Sequence, residues 1–216
     1  MLAFPLPLSD FAEHLHLEAH DFTLGEAVAS SETGSGGALR IGYGDELWEG
    51  QATIAPNSRL AGRGLGALMN LLRRADASFL LCPPEAFPVE DRRGRGVRGY
   101  RPRIGNVGND GQTVKIVGLP RGYQLRAGDF LGFEYGTPAR RALHQIVTDA
   151  RAGGTGNASG IVVTPYIRPG VVEDVTPVQF RRPAIKAVIV PDTYTGMPYL
   201  PGHRGGGTFR WRQVLL

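Results

Sequence analysis

Three histidines near the start of the chain, His14, His16 and His20, stand among Glu13, Glu18 and Asp21, all side chains able to ligate a divalent metal. On a strand His14 and His16 would share a face, and on a helix His16 and His20 would. The two pairings need incompatible local structures, and no recognised ligand spacing surrounds them. The cluster therefore reads as an ordinary polar face, and no metal ligand is assigned. The single cysteine, Cys82, precedes Pro83 and Pro84 and has no His or Asp in its local motif. That context suits a small buried hydrophobe better than a catalytic thiol, and one cysteine excludes an intramolecular disulfide. His144 in an apolar stretch and His203 in a Gly-Pro tail have no evident catalytic neighbour.

Gly94-Arg95-Gly96-Val97-Arg98-Gly99 has the G-x-G-x-x-G spacing with which glycines admit a pyrophosphate to a helix N-terminus. That chemistry needs a strand before the motif and a helix after it. Neither pattern is present, and Pro102 falls where the helix would be building, so no cofactor is expected. The wider segment 92–103 holds six arginines (Arg92, Arg93, Arg95, Arg98, Arg101, Arg103) and Tyr100, a composition seen in single-stranded nucleic-acid binders. Glu90 and Asp91 precede it, however, and a net charge of +4 is too small for a broad basic face. A solvated loop, or an arm that docks on an acidic neighbour, fits the charges better, and no specific nucleic acid is expected as partner. If the segment did hold a single strand, Arg95, Arg98 and Arg101 would carry the contact. A carbohydrate-binding module is a further alternative, with Tyr194, Tyr199 and Trp211 as its aromatic cluster. The chain has no nucleophile elbow, His-Glu zinc motif, phosphate-cradling loop or paired-carboxylate motif, so no catalytic residue is assigned and the reading is non-enzymatic.

Short strands and turns must position these groups. Residues 38–43 and 47–54 alternate in part around Gly44-Asp45 and predict a β-hairpin, preceded by a polar, glycine-rich loop at 30–37. Leu65, Leu68, Met69 and Leu72 recur at i, i+3, i+4 and i+7 and predict one helix over 60–72, capped by Asn57 or Ser58. Gly62, Gly64 and Gly66 each cost about 1 kcal/mol against alanine, so its firm part is expected over 65–75. Strands are expected at 79–82, 113–117, 130–135, 142–147, 160–165 and 184–190, with a last one in 208–216 that docks back on the body. Between 83 and 111 proline, glycine and arginine replace alternation, which predicts a linker or long loop.

The fold class is therefore mainly β. A β-sandwich with one α-helix occupies 1–91, an Arg/Gly-rich linker 92–111, a second sandwich-like or barrel-like β part 112–190, and a C-terminal arm with a last strand 191–216. Hydrophobic residues at 42% and charged residues at 20% lie near globular norms, so the body should fold. Of 24 basic residues 22 are arginine, which favours planar, bidentate contacts at interfaces. Residues 1–8 are apolar but broken by Pro5 and Pro7 and lack a basic flank, so no signal peptide is expected. No apolar run approaches the ~20 residues of a membrane span, which predicts a soluble protein with no membrane partner.

One block is more specific. Gly118-Leu119-Pro120-Arg121-Gly122-Tyr123-Gln124-Leu125-Arg126-Ala127-Gly128-Asp129-Phe130-Leu131-Gly132-Phe133, followed by Arg141-Ala142-Leu143-His144-Gln145-Ile146-Val147, resembles the L-x-A-G-D-(Y/F)-(L/F) turn and R-L-H strand of tail and baseplate-hub proteins of bacterial viruses. Trp48-Glu49-Gly50, the leucine-rich helix and Ser78-Phe79-Leu80-Leu81 are similar to the strand-helix-strand pattern of the same small tail proteins. Val163-Thr164-Pro165-Tyr166-Ile167-Arg168 resembles their P-P-L-R segment, with Tyr166 in place of the second proline.

The resemblance implies a distal tail protein of a long-tailed, siphovirus-like bacteriophage, or of a related prophage or gene transfer agent. Such a protein forms a homohexameric ring that joins tail tube to baseplate hub. Its partners would be copies of itself, the tail tube protein and the baseplate hub protein, and DNA would pass through the ring. It would be made in the host cytoplasm and reside in the virion, at the tail tip. The family often appends a second β domain, a part that residues from 112 onward could play, whereas the Arg-rich loop departs from the family pattern. A tail-tube or tail-terminator subunit is the alternative within the same class. Residues 30–37, 92–103 and the arm after Pro191 are the expected intersubunit contacts.

Overall fold

The computed structural model describes residues 3–32, 34, 36–42, 44–168, 170–172 and 176–215. The protein is mainly β, with one α-helix and several sheets, one of them curled into a half-barrel. Two compact units are each built from separated stretches of chain: a larger one from 1–14, 74–187 and 214–216, and a smaller one from 15–73 and 188–213. The composition shift at 83–111 lies wholly inside the larger unit.

The smaller unit opens with β1 (Leu17–His20), β2 (Thr23–Leu24), β3 (Val28–Glu32), β4 (Ala38–Gly42), β5 (Trp48–Ile54), β6 (Asn57–Ser58) and α1 (Arg59–Leu72). The larger unit carries β7 (Phe79–Leu81), β8 (Arg103–Val107), β9 (Thr113–Val117), β10 (Gln124–Leu125), β11 (Phe130–Tyr135), β12 (Arg140–Ile146), β13 (Ala150–Arg151), β14 (Ala158–Thr164) and the start of β15 (Ile185–Ile189). Past β15, the smaller unit is completed by β16 (Tyr199–Leu200), β17 (His203–Arg204) and β18 (Gly207–Gln213).

In β18 the side chains of Phe209, Trp211 and Gln213 are buried while Arg210 and Arg212 are exposed, the two-residue period that lets one face join a core. The strand docks antiparallel on β5, from Gly207 opposite Ile54 to Arg212 opposite Glu49, as the alternation predicts. β1 and β2 also pair with β5.

The hairpin is a correction. Residues 38–42 pair upstream with β3, Val28 opposite Gly42 through Glu32 opposite Ala38, and not with β5. Residues 30–32, expected as loop, belong to β3; Thr33, Ser35 and Tyr43 lie outside the described residues. The pairing was hidden because β3 and β4 bury no side chain, so no apolar period marks them.

Helix α1 starts at Arg59, ahead of the glycines that were expected to weaken it. The Ser58 hydroxyl caps it, accepting the Ala61 N–H at 3.3 Å. Leu65, Met69 and Leu72 are buried, and packing outweighs the propensity cost. Gly62 has a packing role. A Cβ there would stand 2.6 Å from Cβ of Arg204, so only glycine lets that arginine lie against the helix.

The larger unit holds an antiparallel sheet in the order β11–β12–β14–β9–β8, and β7 pairs with the first residues of β15. Strand β8 corrects the long-loop expectation at its C-terminal end. Ile104 is fully buried opposite Ile116 and, with half-buried Val107 opposite Val114, anchors a strand otherwise made of arginine, glycine and asparagine. Ile104, Val114, Ile116, Leu125, Leu131 and Ile161 form the centre of the core. Among the described residues no helix is long and apolar enough to cross a membrane.

Candidate interaction surfaces

The arginine-rich segment is a pinned strap. It leaves a 3-10 turn, Val89–Asp91, and ends in β8. The Asp91 carboxylate accepts the backbone N–H groups of Arg95 at 2.8 Å and Gly96 at 2.9 Å, and the Tyr123 hydroxyl donates to it at 3.3 Å. Burial, with the negative Asp91 beside it, holds the Tyr123 hydroxyl well above the usual phenol range. Directly after Gly96, Val97 is only 9% exposed and joins the core of the larger unit. Charge-assisted hydrogen bonds on one side and a buried apolar anchor on the other leave the strap little freedom.

The Ala127-Gly128-Asp129 turn holds the other end of this clasp. Asp129 is buried; one carboxylate oxygen accepts the Val89 N–H and the other the Arg126 N–H, both at 2.8 Å. Gly128 has φ 96°, the left-handed region that favours glycine, which accounts for the residue between Ala127 and Asp129. Burial raises the pKa of Asp129, the two N–H donors oppose the rise, and the nearby charges of Glu90 and Asp149 add to it. The Arg126 guanidinium reaches Glu90 and Asp149, each at 2.8 Å, and Gln124 at 2.9 Å. Asp149 in turn accepts the Ala127 N–H at 2.8 Å. The segment read as strand, tight turn and strand thus also reaches back forty residues to fix the root of the strap.

Arg92, Arg93, Arg95, Arg98, Arg101 and Arg103 are all exposed, and among the described residues none of their guanidinium groups meets a carboxylate. Tyr100 is exposed between two of them. Charge is unevenly shared: the larger unit has 17 basic and 12 acidic residues, the smaller 7 and 8. Unpaired guanidinium groups suit bidentate contact with carboxylate or phosphate, and the pinned backbone that carries them has little freedom left to lose on binding.

A second surface is the β3–β4 hairpin. Among the described residues these strands pair only with each other, and β4 exposes Leu39 at 56% and Ile41 at 57%. The arm after Pro191 instead folds onto its own unit, β17 pairing with both β16 and β6, and β18 with β5.

The remaining candidates scatter. His14 ends a 3-10 turn, His16 is exposed, and His20 lies half-buried edge-on to Trp211 and Phe22. Burial lowers the pKa of His20 against the pull of Asp21. Among the described residues no three His, Cys, Asp or Glu side chains gather as a metal site would need. Gly94 and Gly99 sit in turns with no helix after them, and Arg181 packs against Gly94. Cys82 is half-buried, which raises its thiol pKa against the influence of Arg182. Trp211 is 1% exposed inside the core and so does not join Tyr194 and Tyr199. His144 is buried, its Nδ1–H donating to the Pro165 carbonyl at 2.7 Å and its ring stacked on Phe133.

Sequence reading took Asp129 only as part of a tight turn and Asp91 only as a charge beside the arginines, and it gave Arg204 no role. The contacts of Asp91 to Arg95 and Gly96 and of Asp129 to Arg126 are local and fit an acidic side chain capping nearby N–H groups, whereas those of Asp129 to Val89 and of Asp91 to Tyr123 are long-range and leave no local pattern. No protein-family model and no curated protein sequence matches this chain.

Proposed function

We propose that this chain is a structural, non-enzymatic subunit that assembles with copies of itself into the distal tail ring of a long-tailed bacteriophage or related particle, joining tail tube to baseplate hub at the tail tip. The β3–β4 hairpin carries the assembly part of this reading. A two-stranded hairpin is marginal in water by itself, and free edges with exposed apolar side chains invite pairing with another chain. Copies related by a closing rotation satisfy every such edge, and a ring does so without leaving ends. The address at the tube–hub junction rests on the resemblance of 118–133, 141–147 and 163–168 to tail proteins. The strap then offers its unpaired arginines to an acidic face of a neighbouring protein.

The test is assembly of the wild-type chain against a Leu39→Asp, Ile41→Asp variant. Both side chains are exposed, so the variant should keep the wild-type circular dichroism while losing the ring in electron micrographs. A variant that still forms the wild-type particle would remove the hairpin from the interface.

A further inference from the structure

We infer that a pocket in the smaller unit, between α1 and residues 194–204, is a binding site for a small oxyanion, the carboxylate or phosphate of a sugar-sized ligand. The inference stands apart from ring assembly. At its centre is Arg204, 9% exposed. Its Nη1–H donates to the Met197 carbonyl at 2.9 Å, the Tyr199 ring centre lies 3.6 Å from its guanidinium carbon, and its Nε is buried without a partner. A guanidinium offers five N–H donors, and one protein acceptor meets them among the described residues. A buried cation is costly unless an anion accompanies it. The pocket supplies no such anion: its lining includes Arg63, Asn70, Tyr194 and Tyr199, but no Asp or Glu.

The helix is shaped around this arginine. Besides Gly62, a Cβ at Gly66 would come within 3.1 Å of Nη2 of Arg204. Two glycines in α1, each unfavourable by about 1 kcal/mol against alanine, make room for one arginine that meets no carboxylate among the described residues. Arg63, exposed on the same helix, brings a second cation to the rim. Burial raises the pKa of Tyr194 against the pull of Arg204 and Arg73, so its hydroxyl remains a donor. The cavity volume of about 370 Å³ is that of a small-ligand site. Tyr199 is 70% exposed, which leaves ring surface for an apolar sugar face to stack on.

The experiment is calorimetric titration of the full chain, with thermal unfolding at matched ionic strength, using inorganic phosphate, glucose 6-phosphate, glucuronate and neutral glucose. Binding of at least one oxyanion with a rise in Tm, and none by glucose, is expected; the phosphate and glucuronate arms identify which oxyanion the site takes. Arg204→Gln disturbs packing, so Arg63→Gln, at an exposed position, decides: it should weaken binding about tenfold. A strap variant, Arg95→Gln with Arg98→Gln and Arg101→Gln, should bind as wild type. Absence of oxyanion binding, equal binding of glucose, undiminished binding in Arg63→Gln, or binding lost in the strap variant would each overturn the assignment.

Discussion

Two glycines in α1, two positions apart, should respond to alanine with opposite signs. Gly64 is exposed with nothing within 4 Å of its would-be Cβ, so Gly64→Ala should gain the helix-propensity difference, about 1 kcal/mol. Gly62 is buried, and the added Cβ would stand 2.5 Å from Cγ and 2.6 Å from Cβ of Arg204. Those atoms are the near end of the side chain, and the Arg204 backbone is held between Tyr199 and Asn57 in the β16–β17–β6 sheet. Relief requires moving a strand, and overpacking of this kind costs about 1–3 kcal/mol, more than the propensity gain. Gly62→Ala should therefore destabilise by about 1 kcal/mol, a separation of about 2 kcal/mol from Gly64→Ala. Urea titration followed by far-UV circular dichroism reads both, with the midpoint compared at unchanged slope. Equal stabilisation by the two substitutions would refute the packing of Arg204 against the helix.

Three further outcomes follow from the larger unit. Burial holds the His144 pKa down at about 4 against 6.5 ordinarily, so the unfolded chain takes the proton first; stability is lost as pH falls from 6.5 towards 4, by up to about 3 kcal/mol. Asp129, whose pKa is raised, acts in the opposite sense as pH falls, so the clean measurement is the difference from His144→Leu, which should show a flatter fall in urea midpoint between pH 7 and 4. Asp129→Ala orphans the N–H groups of Val89 and Arg126 and should cost about 2–4 kcal/mol in chemical denaturation. The strap, although it carries six arginines, should resist limited trypsin digestion in the wild type and become the first site cut in Val97→Asp, which places a charge at its buried anchor.

What was legible in the sequence followed burial. Strands β9 and β11 fall at the expected residues, and β18 shows the expected alternation, because Val114, Ile116, Phe209 and Trp211 face a core and impose a period. Where side chains face solvent the period disappears: Ser30, Ser31 and Glu32 form a strand that reads as loop. In β8 buried Ile104 and half-buried Val107 anchor a strand inside an arginine- and glycine-rich stretch, too few apolar positions to show a period. The surfaces were harder to foresee than the sheets. Arginine density at 92–103 was plain, but its rigidity comes from Asp91, Tyr123 and Val97, and Tyr123 is far away in sequence. Trp211 falls in the last strand expected to dock back on the body, and its burial there removes it from the exposed aromatic cluster that a carbohydrate-binding module would need.

Self-assembly is the central claim, and the mass of the purified chain by light scattering tests it most directly. A single species of hexameric mass, ring-shaped in electron micrographs and reduced to monomer by Leu39→Asp with Ile41→Asp, is the predicted result. A folded monomer at every concentration, both alone and mixed with tail tube protein, would contradict it.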